Sequence, residues 1–222
     1  MTGLRELTAP AMALRTATIL LVFVVVFTAL LAGAYRATRP AILATAAAER
    51  MRLISEVLPA SVYDNDPLAA RISIADDPRL GNAAATIGYR AMRGGKASAV
   101  VLEATAPDGY AGRIRLLLAV DRKLRILGVR VLEHRETPSL GDYIEPKKDR
   151  NKTRPWITQF DGQSLLTRPL AAWRVRKDGG EFDAYAGATV TPRAVIKTVA
   201  KALQFVEAEQ ATLFDDGAEK RP

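Results

Sequence analysis

The sequence contains no cysteine and a single histidine, His134. The lack of cysteine excludes a disulfide framework, a thiolate zinc site, an iron–sulfur cluster and a cysteine nucleophile. A single histidine also excludes a metal site built from several histidines and haem ligation by two histidines. Any redox centre in this chain must therefore be an organic group held by hydroxyl, carboxylate and backbone groups.

Charge is missing from one long stretch, residues 16–35, which is bracketed by arginines. In a helix, about 20 residues span about 30 Å, which is the thickness of a bilayer hydrocarbon core. A cleaved signal peptide is the alternative, because Ala32-Gly33-Ala34 offers a small-x-small cleavage pattern. Signal-peptide cores are only about 7–15 residues long. We therefore predict a retained transmembrane helix at residues 16–36.

The arginines that flank this span are unequally distributed. They are Arg5 and Arg15 before it, and Arg36, Arg39, Arg50 and Arg52 closely after it. The positive-inside rule therefore favours a cytoplasmic C-terminal domain. The formal net charge of +8 suits an anionic partner, whether an acidic lipid surface, an acidic protein or nucleic acid.

Helical and then strand patterns follow the span. Residues 41–58 indicate a helix that begins at Pro40, and residues 60–85 indicate an irregular connection. Residues 86–134 have the character of strands, and within them residues 113–120 alternate in a way that predicts a half-buried strand. Further strands are predicted at 97–104 and 124–134, with Asp121-Arg122-Lys123 as a turn.

The last predicted element is an amphipathic helix. Val195, Val199 and Val206 fall on one face of it, with Thr191 as the N-cap and Pro192 as the first helical residue. These patterns together predict an α+β fold, with one N-terminal transmembrane helix followed by a single α+β domain that has an antiparallel sheet.

The segment Asp183-Ala184-Tyr185-Ala186-Gly187-Ala188-Thr189-Val190-Thr191-Pro192 combines small residues with a helix start. Gly187 permits unusual backbone angles, and small neighbours let another group approach the backbone closely. Thr189 precedes the helix N-terminus, where free N–H groups and the helix dipole favour a phosphate or carboxylate. Its hydroxyl can hydrogen-bond a phosphate or be esterified to it. The structural alternative is a well-capped strand-to-helix turn.

Three other segments contain side chains typical of sites or of cores. His134, Glu136 and Thr137 follow a predicted strand in a loop and offer donors and acceptors for a heteroaromatic ring edge. Gly109-Tyr110-Ala111-Gly112 is typical of a hairpin turn. Trp156 and Phe160 lie one helical turn apart, which is more typical of a core pair than of a cofactor site.

In order and spacing these segments resemble a known family. The pattern HxETPxLGD, then W-x-x-Q-F-x-G, then D-x-x-x-G-A-T-x-T before a helix is similar to the periplasmic FMN-binding domain. That domain occurs in the G subunit of the Rnf electron-transport complex and in the C subunit of the sodium-translocating NADH:quinone reductase. An N-terminal anchor and a chain of this length resemble the Rnf protein most. The resemblance covers roughly residues 10–210.

The resemblance implies a covalent FMN, held on Thr189 by a phosphoester that a separate flavin transferase installs from FAD. It implies the following cofactor-binding residues: Thr189, Gly187, Ala188, Val190, Thr191, Asp183, His134, Glu136, Thr137 and Leu140. The chain departs from the family pattern at Ala186, where Ser or Thr is usual, and at Ser139, where Gly is usual. Neither departure removes the hydroxyl that would be esterified.

The resemblance also implies an organisation and a location. The implied parts are a short cytoplasmic N-terminus (1–15), a transmembrane helix (16–36), a helical and irregular connection packing on the domain (37–85), the FMN-binding domain (86–210) and a polar C-terminal tail (211–222). The domain is expected in the periplasm of a single-pass inner-membrane protein, against the arginine count. The function implied is an electron relay between ferredoxin and NAD, coupled to ion translocation, with the other proteins of the Rnf complex as partners.

Two alternatives of function are kept open. One is the C subunit of the quinone reductase, and the other is an anchored sensor module that holds flavin without a covalent bond. A nucleic-acid binder is disfavoured, because the basic run at residues 147–154 has neither interleaved aromatic residues nor a known motif.

Overall fold

The computed structural model describes residues 9–215, so the first part of the predicted N-terminus (1–15) and most of the predicted tail (211–222) lie outside the described residues. The chain divides into two compact units, residues up to Glu49 and residues from Arg50 onward. The first helix, α1, spans Ala9–Val57 and includes the whole uncharged stretch. Among the described residues it is the one helix long and apolar enough to cross a membrane.

The prediction that a new helix begins at Pro40 is wrong, because Pro40 lies inside α1. An internal proline removes one backbone hydrogen bond and crowds the carbonyl four residues earlier. Alanine has the highest helix propensity of all residues, and it is abundant on the C-terminal side of Pro40. This propensity favours continuation of the helix past the proline.

The second unit contains a five-stranded antiparallel sheet in the order β1-β2-β3-β4-β5. The strands are β1 (Arg71–Ile74), β2 (Thr86–Arg93), β3 (Lys96–Gly109), β4 (Gly112–Asp121) and β5 (Ile126–Glu133). Each strand pairs with the next in sequence, so the sheet is a simple meander. This confirms the α+β class, the antiparallel sheet and the three strands that were predicted individually.

Two details of the strand prediction are corrected. The connection at 60–85 is not wholly irregular, because it contains the short edge strand β1. Strand β4 is buried on both faces rather than half-buried. Leu116 and Leu118 face the main core, whereas Leu117 packs on the other face with Ile54 from the end of α1. At this second interface the backbone of Gly128 lies so close to α1 that a Cβ would approach the Val57 oxygen to 2.8 Å.

The main core lies between the sheet and helix α2, which spans Val190–Ala208 and is followed by the short helix α3, Gln210–Leu213. The predicted apolar face of α2 is confirmed, since Val195, Val199 and Val206 are fully buried. Trp156 and Phe160 form an edge-to-face pair at 5.6 Å within this core, as predicted. A series of short 3-10 turns connects β5 to α2 and places the loops at the start of that helix.

Candidate functional site

The start of α2 differs from the prediction by two residues. Thr189, not Thr191, occupies the N-cap position, and no side chain caps this end of the helix. The preceding Gly187 adopts a φ of +85°, a conformation that a residue with a Cβ rarely takes. Thr189 is half-buried, and within residues 9–215 its hydroxyl makes no hydrogen bond. A hydroxyl with no partner therefore lies beside uncapped backbone N–H groups.

Thr189 lines a cavity of about 120 Å³. It is lined by Tyr110, Glu136, Thr137, Leu140, Gly141, Gly187, Ala188, Thr189, Val190 and Thr191. Eight of the ten predicted cofactor-binding residues therefore meet around one cavity, although they come from two loops far apart in sequence. His134 and Asp183 are the two that do not line it.

Glu136 holds the loops around this cavity together. Its side chain is buried, and one carboxylate oxygen, Oε1, accepts a hydrogen bond of 3.1 Å from the Ala111 N–H at the tip of the β3–β4 hairpin. The other oxygen, Oε2, accepts a hydrogen bond from the Thr191 hydroxyl at the start of α2. Gly141 lies so close that a Cβ there would be 2.9 Å from Oε2. The carboxylate thus joins the hairpin, its own loop and the helix.

His134 lies behind this loop. Its Nδ1 accepts a hydrogen bond of 3.0 Å from the Glu136 N–H, so the imidazole proton is on Nε2, which donates to the Glu145 carboxylate. Burial opposes the charge on Glu145, but hydrogen bonds from Lys148 and His134 outweigh it and hold the pKa of Glu145 below its ordinary value. Both ring nitrogens of the histidine are therefore used to position the loop.

Asp183 does not line the cavity either, and its contacts are with Arg176, Trp156 and Gln159. Its exposed carboxylate pairs with Arg176 at 2.7 Å. Its backbone carbonyl accepts a hydrogen bond of 2.6 Å from the Trp156 indole, and its N–H donates to Gln159 Oε1 at 2.8 Å. The aromatic core thus fixes the beginning of the loop that ends at Thr189.

Sequence reasoning missed a second buried carboxylate, Asp149, which lies within the basic run at residues 147–154. Asp149 is fully buried and accepts hydrogen bonds from the Tyr185 hydroxyl at 2.5 Å, the Trp156 N–H at 2.5 Å and the Asn151 N–H at 2.8 Å. Its position between arginines and lysines in sequence conceals this role. The available signal in the sequence was that Asp149 lies seven residues before Trp156, from whose N–H it accepts a hydrogen bond.

Two tyrosines continue this network towards Thr189. The Tyr143 hydroxyl donates to the Ala188 carbonyl at 3.1 Å, and the Tyr143 and Tyr185 rings are 4.4 Å apart. Burial raises the pKa of Tyr143 to about 12, and burial together with the hydrogen bond to Asp149 raises the pKa of Tyr185. Both phenols therefore stay protonated and act as hydrogen-bond donors at neutral pH.

Tyr110 is a further residue of the cavity that was not predicted to bind the cofactor. The Gly109–Gly112 segment forms the predicted hairpin turn between β3 and β4, and Tyr110 at its tip is 67% exposed. With Leu140 and Val190, which are also exposed, it gives the mouth of the cavity an apolar rim. The glycines that flank Tyr110 were the available signal.

Comparison with known proteins identifies two family models that match this chain. The model of the FMN-binding domain family matches residues 109–204, and that of the RnfG N-terminal region matches residues 2–57. The chain is 45% identical over 201 residues to the G subunit of the ion-translocating oxidoreductase complex of Pseudomonas aeruginosa, covering 90% of this chain and 92% of that protein. The corresponding protein of Vibrio cholerae serotype O1 is 39% identical over 197 residues, covering 89% of this chain and 91% of that protein.

Among solved structures, that of NqrC from Shewanella oneidensis matches with a TM-score of 0.43 and 24% identity, covering 68% of this chain and 78% of that one. The sequence matches define the class first: an FMN-binding domain that follows an N-terminal apolar helix. The chain belongs to the RnfG family, the G subunits of the Rnf ion-translocating oxidoreductase complexes.

Proposed function

We propose that this chain is a membrane-anchored electron carrier in which FMN is bound covalently to Thr189. The observation that carries the proposal is the Thr189 hydroxyl, which has no hydrogen-bond partner among residues 9–215, at the uncapped start of a 19-residue helix. A phosphoester at this oxygen would carry negative charge beside the positive end of the helix dipole. Gly187 and Ala188 leave room for a phosphoryl group, because neither has a side chain larger than a methyl group.

Attachment requires a second protein. A flavin transferase would supply FAD, the Thr189 oxygen would bond to the phosphorus on the flavin side, and the bond from that phosphorus to the AMP oxygen would break. AMP then leaves, and the hydroxyl proton passes to a base of the transferase or to water. The half-exposed position of Thr189 at a cavity mouth is compatible with attack from outside the domain.

When bound, FMN supplies the ability to accept and release electrons singly or in pairs. Gly187, Ala188 and Thr189 of this chain would hold its phosphate at the start of α2. We propose that the carrier relays electrons between ferredoxin and NAD, coupled to ion translocation, together with the other proteins of an Rnf complex. The proposed location is the bacterial inner membrane, with α1 as a single span and the flavin domain in the periplasm.

The proposal predicts that Thr189→Val abolishes covalent flavin. Valine keeps the shape of threonine but lacks the oxygen that forms the ester. The chain is produced together with a flavin transferase, run on a denaturing gel and examined for flavin fluorescence. Mass spectrometry of the peptide that contains Thr189 should then find the added mass of FMN in the unmodified chain and none in the variant.

Thr137→Val is the matched control, because it is the same substitution at another threonine that lines this cavity. This variant should keep its fluorescent band. A fluorescent Thr189→Val band would exclude the attachment site. Loss of the fluorescence of the unmodified chain on denaturation would instead favour the non-covalent sensor.

A further inference from the structure

A groove along the exposed face of α2 has no part in the proposed flavin site. Its volume is about 350 Å³, and it is lined by residues of α2 and of the segment 170–178, which begins with the short turn Leu170–Ala172. It shares no lining residue with the cavity at Thr189. We call it the Trp173 groove.

The two walls of the Trp173 groove are held in place by the protein itself. The Arg193 guanidinium on α2 donates hydrogen bonds of 2.5 and 2.6 Å to the Asp178 carboxylate on the facing segment. The Trp173 indole donates to the Arg168 carbonyl at 3.1 Å, and its ring lies 5.1 Å from that of Phe182. Because the groove is already formed, a partner that binds it loses less conformational entropy.

The groove has an apolar base and an apolar side chain at its rim. Trp173 and Ala200 are buried at the base, whereas Leu170 is 52% exposed. Protein interfaces typically combine an apolar centre with a polar rim, and tryptophan and arginine are enriched in them. The base and Leu170 therefore offer a contact for one large apolar side chain of a partner.

Cationic side chains outnumber carboxylates around the groove. Arg193, Lys197 and Lys201 follow one another at intervals of four residues, so they lie on one face of α2 and extend over about 12 Å. Arg174 also lines the groove, and Asp178 is the one carboxylate residue among its lining residues. Like charges at this spacing destabilise a helix unless other groups compensate them.

The fold compensates two of these four cations. Arg193 binds Asp178, and the Lys197 Nζ donates to the Asp108 carboxylate at 2.8 Å. In the part of the chain that the structure describes, Arg174 and Lys201 have no carboxylate within ion-pair distance, and both are exposed. Their charges are therefore accessible to an anionic partner.

We propose that the Trp173 groove binds an acidic segment of a partner protein, in which a large apolar side chain stands between carboxylates. The apolar side chain packs on the base beside Leu170, and the carboxylates pair with Arg174 and Lys201. A flat anionic lipid surface matches the charge but not the recessed apolar base. The proposal goes beyond the flavin function and uses none of the residues assigned to the cofactor.

The test is a titration of the full chain in detergent with a fluorescent peptide that has two glutamates on each side of a central phenylalanine. A second peptide has alanine in place of the phenylalanine, and a third has glutamine in place of every glutamate. We expect saturable binding of the first peptide, about tenfold weaker binding of the second and none of the third.

Variants of the chain locate the binding. Lys201→Glu should weaken binding of the first peptide at least about tenfold, because it replaces attraction by repulsion. Lys96→Glu is the matched control, since Lys96 is also exposed and lies outside the groove. Leu170→Ser should weaken binding about fivefold, whereas Leu166→Ser, at a leucine that is 67% exposed outside the groove, should not.

Three outcomes overturn the proposal. The first is no saturable binding of the phenylalanine peptide. The second is equal weakening by Lys201→Glu and Lys96→Glu, because binding would then follow the net charge of +8 rather than the groove. The third is displacement of the peptide by an equal concentration of glycerol phosphate, which would assign the groove to a lipid headgroup. Lys201→Glu should keep the covalent flavin band on the denaturing gel, so the two proposals fail independently.

Discussion

Two buried carboxylates, Glu136 and Asp149, organise the loops around Thr189, and within residues 9–215 neither has an ion-pair partner. A buried carboxylate without a counter-ion is costly unless hydrogen-bond donors surround it. Both groups meet this condition through hydroxyl and backbone N–H donors, which also fixes the loops that supply those donors. The geometry of the cavity at Thr189 therefore depends partly on Asp149, which does not itself line that cavity.

Asp149→Asn tests whether the buried carboxylate stabilises these loops, because it replaces one carboxylate oxygen with an NH₂ group. The Trp156 N–H donates to Oδ2 of Asp149, and an asparagine NH₂ group in that place would set a donor against a donor. We expect the free energy of unfolding to fall by about 2 kcal/mol, because a buried donor loses its acceptor. The measurement is urea unfolding of the full chain, monitored by tryptophan fluorescence.

Asp76→Asn is the control for this change, since Asp76 is exposed and should tolerate asparagine without a measurable effect. Equal unfolding midpoints for Asp149→Asn and the unmodified chain would show that the buried carboxylate is dispensable.

The position of Thr189 at the start of a helix could be predicted from the sequence because its signal is local: small residues, a glycine and a helix start within ten positions. The roles of Glu136 and Asp149 could not, because their partners lie far away in sequence, such as Thr191 for Glu136 and Tyr185 for Asp149. The N-cap was misplaced by two residues because Thr191 is an equally good capping residue by type. In the structure, the Thr191 hydroxyl donates a hydrogen bond to the Glu136 carboxylate and does not cap the helix.

Among the secondary-structure elements, the sheet was predictable where alternation extends over many residues, as in β4. The edge strand β1 was not, since four residues between acidic loops carry little pattern. The burial of Leu117 could not be predicted either, because it depends on the end of α1 covering the outer face of the sheet. Strands with a long alternating pattern could therefore be predicted from the sequence. The short edge strand and the burial that depends on packing between distant elements could not.

In the loop between β1 and β2, Arg79 forms an ion pair with Asp77 and also contacts α2. The Arg79 guanidinium donates to the Asp77 carboxylate at 2.7 Å and lies 5.2 Å from the centre of the Phe205 ring. The hydrogen bonds from Arg79 hold the pKa of the Asp77 carboxyl below its ordinary value. Both side chains are partly exposed, so we expect the pair to stabilise the fold by less than about 1 kcal/mol.

This pair gives a pH dependence with a definite sign. Because the pKa of Asp77 is lower in the folded chain than in the unfolded chain, its contribution is complete above the unfolded pKa of about 4. The contribution is lost as the pH falls through the lower, folded-state value. Asp77→Asn should therefore be less stable than the unmodified chain at pH 7, and the difference should shrink towards zero below about pH 4.

Unfolding midpoints measured from pH 7 to pH 3 will show this, with Asp76→Asn as a neighbouring control that lacks the Arg79 contacts. A difference between Asp77→Asn and the unmodified chain that stays constant across this range would assign the stabilisation to packing rather than to charge.

For the molecule as a whole, two signals disagree about orientation. More arginines follow the apolar stretch of α1 than precede it, which favours a cytoplasmic domain. The proposed covalent flavin favours the periplasm, where a tether prevents loss of a cofactor that is not made there. The arginine rule is a statistical bias, so a direct measurement has to decide.

The absence of cysteine makes that measurement clean, because an introduced thiol is the only one in the chain. Asp76→Cys places it on an exposed loop of the second compact unit, and Ala11→Cys places it before the uncharged stretch. In cells with a permeabilised outer membrane, an impermeant maleimide should label Asp76→Cys at once and Ala11→Cys only after lysis. Full-length labelled Ala11→Cys would also exclude cleavage at Ala32-Gly33-Ala34. The reverse order of labelling would place the domain in the cytoplasm and remove the reason for a covalent tether.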